Sequence, residues 1–248
     1  QALPGRADPE ALPPIFLLEE RGRASRHGFP GRAWEPVKLQ LNYSTSNHKF
    51  SEGTMLITEA PFTLRKWTLK EYHKLGEMGF FHPEERVELI SGNIIKMSAK
   101  GTAHTSALGR TDKLLQNLFA NLAWVRIQDP ITLDDNSEPE PDIAVVRIDP
   151  LDYATHHPTP SEVYLIIEVA DSSLAFDREI KAKAYARSGI ADYWVLNVCD
   201  RQLHVFREPV EYEYQSEVIL GENQSISPLH FPDFNIAIQA MLQPIITN

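Results

Sequence analysis

From Thr68 onward, apolar and polar positions recur with periods that define the elements they belong to. Thr68-Leu-Lys-Glu71 is a capping-box pattern and opens a short helix that runs through Leu75 towards Gly76 and Gly79. Arg86-Val-Glu-Leu-Ile90 and Asn93-Ile-Ile-Lys96 flank Ser91-Gly92, which predicts a hairpin with a tight turn. Leu108, Leu114, Leu115, Leu118, Phe119 and Leu122 return at helical spacing within a predicted helix over 102–123. Trp124–Ile127, Ile143–Val146 and Tyr164–Val169 are apolar runs of strand length. A helix follows over 177–188, stopped by Gly189 as a left-handed cap. Tyr193–Asn197 and Gln202–Phe206 form a second hairpin around Cys199-Asp-Arg201, and its exposed look makes it a place for a partner to pair. A short helix around Ile236–Leu242 closes the pattern. Helices and strands interleave without an internal repeat. The prediction is a single α/β (α+β) domain with a mixed central sheet.

The first 54 residues read differently. They carry Pro4, Pro9, Pro13, Pro14, Pro30 and Pro36 among scattered arginines, without helical or strand period. Seven basic and six acidic residues lie in 1–54, against 17 and 28 in 55–248. Composition and charge both shift near Met55. The expectation is an N-terminal extension over 1–54, disordered or non-native with Met55 the natural start, ahead of a folded domain over 55–248. A genuine disordered arm is the alternative.

The net charge of −10 argues against a sequence-independent coater of nucleic acid, because neutralising phosphates needs clustered Lys and Arg. It leaves room for an acidic metal-binding cleft bordered by a local basic stripe. The single cysteine, Cys199, excludes an internal disulfide framework and a cysteine-rich zinc site. No run approaches the length of a membrane span, and no signal pattern opens the chain. A soluble cytoplasmic protein is the expectation.

Asp142 and Glu168 are the residues that promise chemistry. Asp142 ends Pro139-Glu-Pro-Asp142 just before an apolar strand, where it reads either as turn chemistry or as a ligand. Glu168 interrupts a strand whose two faces both look apolar, as in a sheet covered by helices. A carboxylate there needs a partner. Arg178 or Lys181 would make it a structural ion pair; Asp142 nearby would make a divalent-metal site. Lys181 reads as a solvated helical lysine or as a cation beside the reacting group. Tyr185 falls one turn beyond it, on the same face, as a supporting group or as core. Glu88 alternates within its strand and reads equally as solvent-facing. His104, near the start of the long helix, reads as a surface or capping residue, and His156-His157 as loop.

Taken in order, Glu88, Pro141-Asp142, Glu168 and a basic helix resemble the PD-(D/E)xK restriction-endonuclease-like superfamily. Glu88-Leu-Ile-x-Gly92, Pro139-Glu-Pro-Asp-Ile143, Leu165-Ile-Ile-Glu-Val169, Asp177-Arg-Glu-x-Lys181, Tyr185-Ala-Arg-x-Gly189 and Asp192-Tyr-Trp194 are similar to the Uma family of restriction-endonuclease-like proteins, abundant in cyanobacteria. The resemblance covers roughly Thr68 to Leu242. It implies a mixed β-sheet core flanked by helices, and Mg²⁺ (or Mn²⁺) held by Asp142, Glu168 and the backbone carbonyl of Val169. Glu88 matches an acid near the metal, and His104 a histidine common at this point. The superfamily places a lysine two residues after the glutamate, where this chain has Ala170; Lys181 is then the migrated lysine, positioning water or stabilising charge. The implied activity is hydrolysis of duplex DNA to 5′-phosphate ends, with a homodimer as one way to cut both strands. The alternative is a catalytically weak nuclease-fold protein that binds or assembles, for which the acidic charge and Ala170 speak.

Overall fold

The computed structural model describes residues 64–245, within which the compact unit begins at Lys66. The boundary expected at Met55 lies outside the described residues.

Thr68 caps α1 (Leu69–Glu77) with the capping box complete: its hydroxyl accepts from the Glu71 amide, and the Glu71 carboxylate accepts from the Thr68 amide. The first hairpin pairs β1 (Val87–Ile90) with β2 (Asn93–Lys96). Both turn residues, Ser91 and Gly92, hold positive φ (49° and 73°), the combination that matches a two-residue turn to strand twist. This hairpin is a sheet of its own. It is tied to the loop before the main sheet by exchanged backbone bonds between Leu89 and Glu138.

The main sheet has six strands. They are β3 (Trp124–Ile127), β4 (Ile143–Val146), β5 (Val163–Ala170), β6 (Asp192–Asn197), β7 (Gln202–Val210) and β8 (Glu213–Gly221), and they lie in sequence order. All neighbours are antiparallel except β5 and β6, which are parallel. A parallel pair needs a crossover, and here it is the helix over 174–187, called α3. Leu165, Ile167 and Val169 turn to one face of the sheet, under α2 (Thr102–Phe119) and the C-terminal segment. Ile166 and Ala170 turn to the other, under α3. Period-2 alternation in a strand covered on both faces explains why Tyr164–Val169 is apolar on both faces apart from Glu168.

Several boundaries differ from the prediction. α2 stops at Phe119, which stacks on Phe231 with ring centroids 4.5 Å apart, and the chain then turns into β3. Helix α3 starts at Leu174 and carries a π-helical segment, Asp177–Lys181, before continuing as Ala182–Arg187. Gly189, at φ 77°, ends it in a Schellman arrangement in which the Ile190 amide bonds the Tyr185 carbonyl. The C-terminal helix, α4, is shorter (Ile238–Met241), because Ile236–Ala237 is used as β10 to pair with β9 (Ser225–Ile226).

The expected partner surface over 193–206 is overturned. Tyr193 and Trp194 are fully buried, β6 lies between β5 and β7, and β7 is paired in turn by β8. The outer strand is β8, whose mixed polar sequence conceals it because both its faces are partly wet. Among the described residues no helix is long and apolar enough to cross a membrane.

Candidate active site

Strand parity aims Glu168 at α3. The glutamate shares a sheet face with Ile166 and Ala170, and the helix packed there brings Lys181 and Tyr185, four residues apart, over it. The Lys181 ammonium donates to Glu168 Oε1 at 2.9 Å, and the Tyr185 hydroxyl donates to the same oxygen at 2.8 Å. From the other side β1 places Glu88 Oε2 3.2 Å from the Lys181 Nζ. The π segment ends on Lys181; such bulges re-aim side chains and recur at functional sites. Lys181 is therefore buried and directed at the glutamate, and Arg178 pairs instead with Glu217 on β8.

Asp142 sits just before β4, at the edge shared with β5. Its amide donates to Glu168 Oε2 at 3.2 Å, which joins the two acids through backbone. Its Oδ2 accepts from the Val169 amide at 3.0 Å and from His104 Nε2 at 2.9 Å. In a strand the N–H and C=O of one residue point to the same edge. Ala170, the next residue, sends its carbonyl to Val198 beyond β6. The Val169 carbonyl thus lies on the β4 side with Asp142, where the resemblance requires a ligand.

All the residues singled out in the sequence, Glu88, His104, Asp142, Glu168, Val169, Lys181 and Tyr185, meet in one neighbourhood. Glu88 is buried rather than solvent-facing, and His104 is buried rather than a surface residue. Glu88, His104, Asp142, Glu168 and Lys181 border a cleft of about 310 Å³ between the first hairpin, the start of α2 and the start of α3, with Val169 and Tyr185 behind them.

Three members were not anticipated. Gln128 donates from Nε2 to Asp142 Oδ1 at 2.9 Å, from a residue at φ 55°, a left-handed backbone unusual outside glycine. Nothing in the sequence around it signals this. Asp177 is buried, accepts from the Ser173 hydroxyl at 2.6 Å, and lies one turn before Lys181; its i,i+4 spacing to that lysine was the available signal. Lys100, in the loop before α2, brings its ammonium within 3.6 Å of Asp142 Oδ1.

The electrostatics separate the two metal-ligand candidates. Burial pushes Glu168 up, to about 8, with Lys181 pulling against it and Asp177, Asp142 and Glu88 adding to the rise. Burial likewise pushes Asp177 up, to about 6. Burial also works against a low pKa at Asp142, but His104, the Val169 amide and Lys100 outweigh it and hold the acid below its ordinary value. Burial alone would lower Lys181; Glu168, Glu88 and Asp177 reverse that and hold it charged.

A divalent cation fits this donor set. Glu88, Asp142, Glu168, Asp171 and Asp177 are five carboxyl groups lining the cleft with three ammonium groups, Lys96, Lys100 and Lys181, so with every acid ionised the pocket is short of positive charge by about one dication. Carboxylate and carbonyl oxygens are hard ligands, suited to Mg²⁺ or Mn²⁺ rather than to a softer ion. Among the described residues, a trio of His, Cys, Asp or Glu ligand atoms within 4.8 Å of one another occurs elsewhere, at Asp149, His156 and Glu162. There Arg147 lies 2.7 Å from Glu162 and already supplies the counter-charge.

A six-stranded mixed sheet flanked by helices, with an acidic cleft at a strand edge, defines a nuclease-like α+β domain. A family model, Uma2, described as "Putative restriction endonuclease", matches residues 69–239, and the chain belongs to that family. A solved structure described as a putative nuclease belonging to DUF820, from Anabaena variabilis ATCC 29413, shares the fold at a TM-score of 0.56 and 16% identity, over 70% of this chain and 96% of that one. No curated protein matches the chain.

Proposed function

We propose that this protein is a divalent-metal-dependent endonuclease that hydrolyses phosphodiester bonds of duplex DNA. The observation that carries the reading is the convergence of Asp142, Glu168 and Lys181, with Glu88 behind them, on a cleft with surplus negative charge. Asp142, Glu168 and the Val169 carbonyl would hold Mg²⁺ or Mn²⁺. When bound, such an ion supplies an acidified water and charge to offset the phosphate. The chain's own groups do the rest. Lys181 and Tyr185 orient Glu168 and favour its charged form. His104 and Gln128 fix the rotamer of Asp142, and Glu88 keeps Lys181 charged and in place. Lys181 thus supplies, from the next element in the chain, the cation beside Glu168 that Ala170 does not provide.

Cleavage of supercoiled plasmid with Mg²⁺ or Mn²⁺ tests the proposal. Asp142→Ala and Glu168→Ala should each lower the rate at least about a hundredfold, the scale on which loss of one transition-state-stabilising group is felt. Cleavage that persists equally in both variants would end it.

A binding or assembly protein on the same fold is the second reading. Its support is that both Glu168 oxygens already have protein donors: Lys181 and Tyr185 on Oε1, and the Asp142 amide on Oε2. That reading predicts no calorimetric heat with Mn²⁺ that the alanine variants remove.

A further inference from the structure

We infer that Lys100, rather than Lys181, is the lysine that contacts the substrate phosphate, and that Lys181 is a positioning residue for Glu168. The inference rests on the endonuclease reading and divides the work of its two lysines.

The two ammonium groups flank the same carboxylates but differ in what they already hold. Lys181 touches Glu168 at 2.9 Å and Glu88 at 3.2 Å, with Asp177 one turn away, and it is 3% exposed. Two carboxylates against one ammonium leave no charge to offer a third anion. A phosphate reaching it would have to displace an existing pair, and leaving one partner of a buried pair uncompensated is strongly unfavourable.

Lys100 is the reverse case. Its Nζ is sealed from solvent yet makes no hydrogen bond. The Asp142 oxygen nearest it, Oδ1, stands 3.6 Å away and already accepts from Gln128 at 2.9 Å. An ammonium has three donors and no acceptor capacity, and leaving them unused away from water is unfavourable. Lys100 lines the cleft that holds Asp142 and Glu168. A compact charge engaged only by a 3.6 Å ion pair to a metal-ligand carboxylate suits one non-bridging oxygen of a phosphodiester. An acidic cleft needs such a group, because its carboxylates repel the polyanion it must admit.

The test is binding of a fluorescent duplex oligonucleotide to the full chain, with Ca²⁺ present to neutralise the carboxylates, over a series of KCl concentrations. Lys100→Gln should weaken binding on the order of tenfold, and its log K against log[salt] slope should be shallower by about one phosphate contact. Lys100→Arg should keep the wild-type slope. Lys113→Gln, the same charge change at an exposed position farther along α2, should also keep it. An unchanged slope in Lys100→Gln overturns the inference, as does a slope lost equally in Lys100→Arg. Wild type that binds with the expected slopes but cuts no plasmid removes the hydrolase reading and leaves the Lys100 contact standing. Wild type that cuts plasmid while Lys100→Gln keeps its slope removes the contact and leaves the hydrolase. Wild type that does not bind the duplex overturns the contact outright.

Discussion

At the scale of single residues, Lys181 organises the site. Its ammonium satisfies Glu168 and Glu88, two acids that are 3% and 2% exposed. Lys181→Met would leave Glu88 buried without a counter-charge and Glu168 without its donor, so the stability loss should be about 3–5 kcal/mol by urea denaturation. Glu88→Gln in the same background should restore part of it, because one uncompensated charge goes with it. Glu168 gives a second outcome. With a pKa of about 8 it keeps a proton through neutral pH, and an ion can bind only as that proton leaves. Calorimetric Mn²⁺ affinity should therefore rise by up to about tenfold per pH unit between pH 6 and 8. A flat profile in that window would contradict the assignment of Glu168 as a ligand. Most of this chemistry was legible from Glu168 alone, since a carboxylate inside an apolar strand has to be compensated. The identity of the compensating group was not. Arg178 and Lys181 stand three residues apart, and only the π segment of α3 decides which of them faces the sheet.

At the scale of elements, two helices carry the site, and their ends matter most. Gly189 closes α3 at φ 77°, with open space where a Cβ would stand. Gly189→Ala should then cost about 1 kcal/mol from backbone conformation alone, read as a shifted urea midpoint with an unchanged m-value. The ends of the elements are also where reading and structure part. The capping box at Thr68, the Ser-Gly turn and the Gly189 stop are local chemistry and stand where the sequence puts them. β8 carries no such mark. It is held by eight residue pairs to β7, and its exposed Val218 and Ile219 blur the alternation that a half-buried strand would show.

At the scale of the whole molecule, buried acids of opposite shift should shape the pH dependence of stability. Glu162 is held down, to about 2: burial opposes this, but the Thr159 amide and hydroxyl, Arg147 and His156 outweigh it. A depressed carboxyl stabilises the fold above its unfolded pKa, near 4.5, and that contribution fades as pH falls towards 2. Glu168 and Asp177 are raised, to about 8 and 6, so the folded chain binds their protons more tightly than the unfolded one. Their contribution is complete below about pH 4 and is lost as pH rises through 6 and then 8. The metal-free protein should have its highest Tm near pH 4 to 4.5, where the Glu162 contribution is nearly complete and the loss from Asp177 and Glu168 is only beginning. Glu162→Gln should flatten the acid limb and Glu168→Gln the alkaline one, both by differential scanning fluorimetry. Added Mn²⁺ should move the maximum to higher pH, since the cation replaces the protons.

Periodicity, cap residues and one out-of-place carboxylate are local properties, and from them the sequence alone determined the types of the elements it marked and the mixed α+β class, and it singled out the acids Asp142 and Glu168. Tertiary structure decided what those acids touch. Gln128 reaches Asp142 through an unusual backbone angle, and Asp177 and Lys100 enter the cleft on a π turn and a loop, arrangements that contacts between distant segments impose. The buried place of Tyr193–Asn197 was decided in the same way. Whether a strand lies inside a sheet or at its rim depends on the neighbours it acquires, and here β7 and β8 continue the sheet beyond it.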